Sequence, residues 1–183
     1  MTDLLALQKD FLKRHIKPGG IAVDFTMGNG HDTLWLSETV GAAGKVYAFD
    51  VQQKAISSTR RLLEANGAPQ NYTLIYDSHS ECDSYIHERI NAGVFNLGYL
   101  PGSDKKITTM CETTRAAVSS AINLLAPDGI LLVAVYPGHA EGTAEGDMLA
   151  GMLSLYDRRR YCCSVFRIIN SPTSPFFYTV ESK

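Results

Sequence analysis

Short apolar runs alternate along this chain with longer segments of helical pattern, and few folds accept that alternation. Ile21 to Phe25, Val46 to Phe49, Tyr72 to Tyr76, Val94 to Leu97 and Ile130 to Val135 are short and apolar almost throughout. A strand that is apolar on both faces belongs in a parallel sheet covered by helices. The segments between them predict those helices, at about Thr33 to Thr39, Gln53 to Asn66, Ser80 to Asn91 and Ile107 to Leu125. Gly41, Gly67, Gly93 and Pro127-Asp128-Gly129 mark their ends. A further amphipathic helix runs from near Thr2 and stops before Pro18-Gly19-Gly20.

After the fifth apolar run the pattern changes. A Gly-rich loop, Pro137-Gly138-His139-Ala140-Glu141-Gly142, leads into a helix ending near Asp157. Two strands, Tyr161 to Ile169 and Phe176 to Glu181, then flank the turn Asn170-Ser171-Pro172-Thr173-Ser174-Pro175 and predict an antiparallel hairpin. The sum is a Rossmann-like α/β fold: a seven-stranded, mostly parallel sheet with a C-terminal antiparallel hairpin and helices on both faces. With 183 residues and no repeat or linker, it reads as one domain over residues 1–183.

Composition narrows the class. An apolar fraction of 45% and a charged fraction of 20% are those of a globular chain. The first residues carry no basic stretch followed by an apolar run, and no apolar segment nears the roughly 20 residues of a membrane span, so a cytoplasmic protein without membrane contact is expected. Cys82, Cys111, Cys162 and Cys163 form no CxxC pair, which predicts reduced thiols and no metal. A net charge of −2 neither requires nor excludes a nucleic-acid partner. Local basic clusters matter more: Lys9, Lys13, Arg14 and Lys17; Lys105-Lys106; and Arg158-Arg159-Arg160. Each taken singly reads as a solvated helix end.

The first strand runs into Gly28-Asn29-Gly30 ahead of a helix start, placing glycines where backbone must turn sharply beside a ligand. A loop aimed at a helix N-terminus suits an anionic group, either a carboxylate or a phosphate. The dinucleotide fingerprint wants a third glycine where Thr33 stands, and this disfavours nicotinamide and flavin cofactors. Asp24, just ahead of the loop, resembles the acidic start of the methyltransferase glycine motif, so S-adenosylmethionine is the expected cofactor. Asp24 either reaches its amino group or caps the turn. Asp50, about 20 residues after the loop, is placed to accept both ribose hydroxyls. Gln53 either bonds the ribose or is an ordinary first-turn residue. Asp77, Ser78 and His79, after the third strand, are the candidates for the adenine end.

At the end of the fourth strand, Asn96-Leu97-Gly98-Tyr99 resembles the Asn-Pro-Pro-Tyr motif of amino-group methyltransferases, with Leu97-Gly98 in place of the prolines. In that motif the Asn oxygen accepts from an amine and turns its lone pair toward the methyl, while the aromatic ring stacks on a planar base. An acceptor amine must first lose a proton, for which His31, His139 and Asp104 are equal candidates. Tyr99 either stacks on a base or packs under the sheet edge.

Asp24-Phe25-Thr26-Met27-Gly28-Asn29-Gly30-His31-Asp32-Thr33, Asn96 to Lys105 and Tyr136-Pro137-Gly138-His139 together resemble a small bacterial family labelled rRNA methylase and typified by YtqB and MnmM. The resemblance covers nearly the whole chain. It implies a class I, S-adenosylmethionine-dependent methyltransferase that methylates the aminomethyl group of wobble uridine in the tRNA anticodon stem-loop, forming 5-methylaminomethyl-2-thiouridine. An rRNA or small-molecule amine methyltransferase is the alternative. By the same resemblance Met27, Asn29, Asp50, Gln53, Ser78 and His79 line the cofactor site, and Asn96 and Tyr99 meet the acceptor. It further implies a homodimer whose subunits share their basic clusters across a tRNA stem.

Overall fold

The computed structural model describes residues 3–100, 102, 108–138 and 140–183. Its seven strands are β1 (Ile21–Asp24), β2 (Lys45–Asp50), β3 (Tyr72–Tyr76), β4 (Ile90–Asn96), β5 (Leu125–Val135), β6 (Tyr161–Phe166) and β7 (Phe176–Ser182). They form one sheet in the order β3-β2-β1-β4-β5-β7-β6. The first five pair in parallel, and β7 runs antiparallel to both β5 and β6. This is the predicted mixed sheet with its closing hairpin.

Alternation of side chains assigns the two faces. Val23, Phe49, Phe95, Leu131 and Val133 pack to one side with Ala117, Val118, Ala121 and Leu149, which lie on α5 (Cys111–Leu124) and α6 (Ala140–Leu153). Ala22, Val46, Val94, Ile130 and Leu132 pack to the other with Leu12 and Leu36, from α1 (Leu4–His15) and α2 (His31–Val40). Near the C-terminal edge of β2, Ala48 meets Ala55 and Ile56 of α3 (Gln53–Ala65). Every residue of β5 from Gly129's successor Ile130 to Val135 is buried, as a central strand covered on both sides requires.

Several boundaries move. Only a 3-10 turn, His79–Glu81, and the single-turn α4 (Cys82–Tyr85) occupy the segment predicted as a helix from Ser80 to Asn91. The chain from Ile90 onward is instead drawn into β4, pairing with β5 and β1. Gly93 is therefore mid-strand, not a helix stop. A Cβ there would come within 2.9 Å of the Phe25 ring and 2.7 Å of Leu131, so its glycine serves packing. Pro127-Asp128-Gly129 likewise lies inside β5, as an irregularity in its register with β4 where Asp128 adopts φ 60°. Helix α6 ends at Leu153, short of Asp157, and β6 at Phe166, short of Ile169. No described helix is long and apolar enough to cross a membrane.

Candidate cofactor and acceptor site

The sheet order reverses between β1 and β4, and the carboxyl ends of parallel strands on either side of such a reversal bound a crevice. Here it is a cavity of about 630 Å³. Each of the five parallel strands brings a lining residue at or just beyond its end: Phe25, Asp50, Asp77, Asn96 and Tyr136. Thr173 and Pro175, from the β6–β7 turn, close one side.

The glycine loop after β1 is built by its own side chains. Asp24 is fully buried; its carboxylate accepts from Thr26 N at 3.2 Å and from Thr33 Oγ1 at 2.7 Å. The threonine that replaces a third glycine thus ties the start of α2 to the end of β1. Burial, with Asp32 close by, pushes Asp24 up to about 7. Gly30 sits at φ 88° as the residue before α2, pressed against α3 so closely that a Cβ would lie 2.8 Å from Thr59 Cα. Thr59 Oγ1 in turn donates to Gly28 O at 3.2 Å. The Met27 side chain is buried with Ala48, Ala55, Ile56 and Leu100. Asp24, Met27 and Gly30 hence shape the loop, Asn29 lies off the cavity wall, and of the predicted loop residues Gly28 lines the cavity.

Asp50 lies at the mouth, its carboxylate accepting from Gly28 N at 3.1 Å and Gln52 N at 2.9 Å. Partial burial raises its pKa, against the lowering effect of these backbone donors. Gln52 and Val51 line the wall beside it, whereas Gln53, the first residue of α3, is exposed and does not. The turn from strand into helix displaces that expectation by one residue.

At the far end, Asp77 accepts from Ser78 N and from Tyr85 Oη, both at 2.7 Å. His79 packs edge-on against Phe95, and its Nδ1 lies 3.2 Å from Phe25 O. A carbonyl only accepts, so Nδ1 carries the proton and donates. Its Nε2 is then a buried acceptor without a hydrogen-bond partner among the described residues. Burial lowers the ring to about 4, which keeps it neutral.

On the other side of the reversal, the departure of Asn96-Leu97-Gly98-Tyr99 from the proline motif has a physical account. Leu97 N donates to Ala134 O at 2.9 Å and Gly98 N to Thr109 Oγ1 at 2.8 Å, and prolines would supply neither donor. Gly98 adopts φ 129°, a conformation favouring glycine. Thr109 Oγ1 in turn donates a hydrogen bond to the buried carboxylate of Glu145 at 2.8 Å. Tyr99 stands 39% exposed on the cavity wall, bridged to Thr108. Asn96 is held by Thr26 Oγ1, which accepts from its backbone N–H at 2.7 Å, and by Asp32 Oδ2, which accepts from Nδ2 at 2.8 Å.

The three candidates for proton removal fare differently. His31 is exposed and lies off the cavity wall, while Asp104 and His139 lie outside the described residues. Sequence reasoning passed over Thr26, Asp32, Gln52, Thr109 and Tyr136 as site residues. Asp32 was open to notice, since an acidic residue in a first helical turn beside a glycine loop lies within reach of groups at the neighbouring strand ends.

Residues 46–181 match the model of the family described as "Putative rRNA methylase". The chain belongs to this methyltransferase family. A curated relative, the chloroplastic tRNA (mnm5s2U34)-methyltransferase of Arabidopsis thaliana, is 36% identical over 170 residues, 87% of this chain; the chain spans 62% of that relative's length. A solved "putative rRNA-methylase" from Clostridium thermocellum superposes with a TM-score of 0.97 at 36% identity, covering 100% of this chain and 99% of the other. A "putative methyltransferase" from Streptococcus mutans, in complex with SAH, gives 0.90 at 34% identity over 100% of this chain and 99% of its own.

S-adenosylmethionine is the expected cofactor of this rRNA methylase family. The site's own chemistry fits it. The Asp50 carboxylate at the mouth matches a pair of hydroxyl donors, Phe49 and Val51 give an apolar wall for a planar base, and the orphaned acceptor His79 Nε2 matches an amino group.

Proposed function

We propose that this chain is an N-methyltransferase acting on the aminomethyl group of the wobble uridine, position 34, of tRNA, forming 5-methylaminomethyl-2-thiouridine. The observation that carries the reading is Asn96. Its amide nitrogen donates to Asp32, and its carbonyl oxygen lies 3.5 Å from the hydroxyl of Tyr136, a fellow lining residue of the cavity that also holds Asp50. An oxygen acceptor at the end of β4 suits an acceptor with N–H to give. The Arabidopsis relative, a tRNA (mnm5s2U34)-methyltransferase, supports the same substrate.

In this reading Asp50 accepts the ribose hydroxyls, and Asp77, Ser78 and His79 take the adenine end. Asn96 orients the acceptor amine and Tyr99 stacks on the pyrimidine. S-adenosylmethionine, when bound, supplies an electrophilic methyl group on a sulfonium. With that group bound, the amine nitrogen would form the new N–C bond as the S–C bond breaks, the electron pair staying on sulfur and one proton passing from the nitrogen to water. Asn96 contributes by holding the lone pair in line, an effect of positioning and not of base strength. RNA binding, a homodimer and a cytoplasmic location belong to the same proposal, with the basic residues of α1 and of the turn before β6 as phosphate contacts.

Transfer of labelled methyl to anticodon stem-loops carrying 5-aminomethyl-2-thiouridine tests it. Label should appear on that nucleoside and be absent from stem-loops with unmodified uridine. Label on rRNA or a free amine instead would replace this reading with its alternative.

A further inference from the structure

Asn96 is an amide, and its two ends are nearly alike in shape but opposite in chemistry. Rotation by half a turn would present two N–H donors to the cavity in place of an acceptor. What decides the orientation is Asp32, in the first turn of α2. A carboxylate oxygen only accepts, so at 2.8 Å from Asp32 Oδ2 the Asn96 side chain must present its nitrogen. The flipped amide would set two acceptors face to face. On the opposite side the Tyr136 hydroxyl lies 3.5 Å from Asn96 Oδ1, a position that tolerates an oxygen and can donate to it. The backbone of the same residue is fixed by Thr26 Oγ1. Both anchors flank the glycine loop, so the loop that frames the cofactor region also aims the residue across the reversal.

We infer that Asp32 is a positioning residue, which locks the Asn96 amide with its carbonyl oxygen toward the cavity and so makes the site select an acceptor bearing N–H. Asp32 itself does not line the cavity, and its action runs through Asn96. The inference rests on the proposed reading of Asn96 as the residue that meets the acceptor.

Asp32→Asn keeps the size of the side chain and a hydrogen bond to Asn96, but an amide accepts or donates equally, so the preference for one orientation is erased. With aminomethyl stem-loop as acceptor, kcat should fall about tenfold or more while KM for S-adenosylmethionine stays within about twofold. The doubly exchanged variant, Asp32→Asn with Asn96→Asp, restores a donor facing an acceptor and leaves an oxygen toward the cavity. It should exceed Asp32→Asn alone. Wild-type kcat in Asp32→Asn, or an equal loss of cofactor affinity, overturns the inference. A second readout needs no acceptor: in 15N-asparagine-labelled protein, the Asn96 side-chain amide should show one strongly hydrogen-bonded proton, identified by its loss in Asn96→Asp and shifted in Asp32→Asn. An unshifted signal in Asp32→Asn overturns the lock. If wild-type protein methylates no aminomethyl stem-loop, the substrate reading fails by itself, and the amide spectrum still decides the role of Asp32.

Discussion

Gly28 donates its backbone N–H to Asp50 Oδ2 across 3.1 Å, joining the turn after β1 to the end of β2. The same carboxylate accepts from Gln52 N. It is thereby held in place before any ligand arrives, so little ordering is required on binding. Asp50→Ala should weaken S-adenosylmethionine binding at least tenfold, through loss of a charged acceptor and of the loop's anchor. Titration calorimetry measures this directly. Unchanged affinity would remove Asp50 from the cofactor site.

Asp24 predicts a pH effect whose sign can be worked out. Its pKa is pushed up to about 7 from an ordinary 3.8. The folded state therefore holds the proton more tightly than the unfolded one. That contribution is complete below about 3.8 and is lost as pH rises through about 7. Asp24→Asn retains an acceptor for Thr26 N and offers a donor to Thr33 Oγ1, without the titration. Urea unfolding at about pH 5 and about pH 8 should show the variant gaining roughly 2–4 kcal/mol on wild type between the two. His79 works in the opposite sense, since its lowered pKa of about 4 costs stability as pH falls below 6.5. Both proteins contain it, so it cancels in the difference. Parallel pH profiles would show that Asp24 is ionised throughout.

Gly30 and Gly67 separate backbone strain from steric exclusion. Both adopt positive φ, 88° and 62°, but a Cβ on Gly30 meets Thr59 Cα at 2.8 Å, whereas among the described residues nothing lies within 4 Å of one on Gly67. Gly67→Ala should cost about 1 kcal/mol, for the positive φ alone. Gly30→Ala should cost roughly 2–4 kcal/mol, because α3 must move as well. Thermal melts compare the two; equal losses would mean that the α3 contact relaxes freely.

Tyr99 is half-exposed at the cavity wall, where a base could lie on its ring. Loss of one stacked base is worth about 1–3 kcal/mol. Tyr99→Leu should therefore raise KM for an RNA acceptor about tenfold, with Tyr99→Phe close to wild type and KM for S-adenosylmethionine unchanged in both. Wild-type kinetics with Tyr99→Leu would assign the ring to packing.

Much of this architecture is legible in the order of residues. Parallel strands buried on both faces must be apolar throughout, so β1, β2 and β4 announce themselves, and residues at strand ends, such as Asp50 and Asn96, can be placed at the crevice from topology alone. Local signals fail where the fold uses a residue for another purpose. Gly93 resembles a helix stop but is a space left for the Phe25 ring, and the stretch before it looks helical until the sheet recruits Ile90. Gln53 is misread for Gln52 because periodicity does not fix the phase of a turn to one residue.

The sequence by itself determined the βαβ alternation, the glycine turn and the carboxylate and amide at the strand ends, because hydrophobic period, φ > 0 and residue chemistry are local properties. Only the tertiary structure decided which way those groups face. Asp24 turns inward to Thr33 rather than into the cavity, and Asn96 gives its amide nitrogen to Asp32, because each is oriented by a partner distant in the chain or on another element. The direction of a hydrogen bond follows from which donors and acceptors packing brings together, and that is fixed when the sheet and helices close around the crevice.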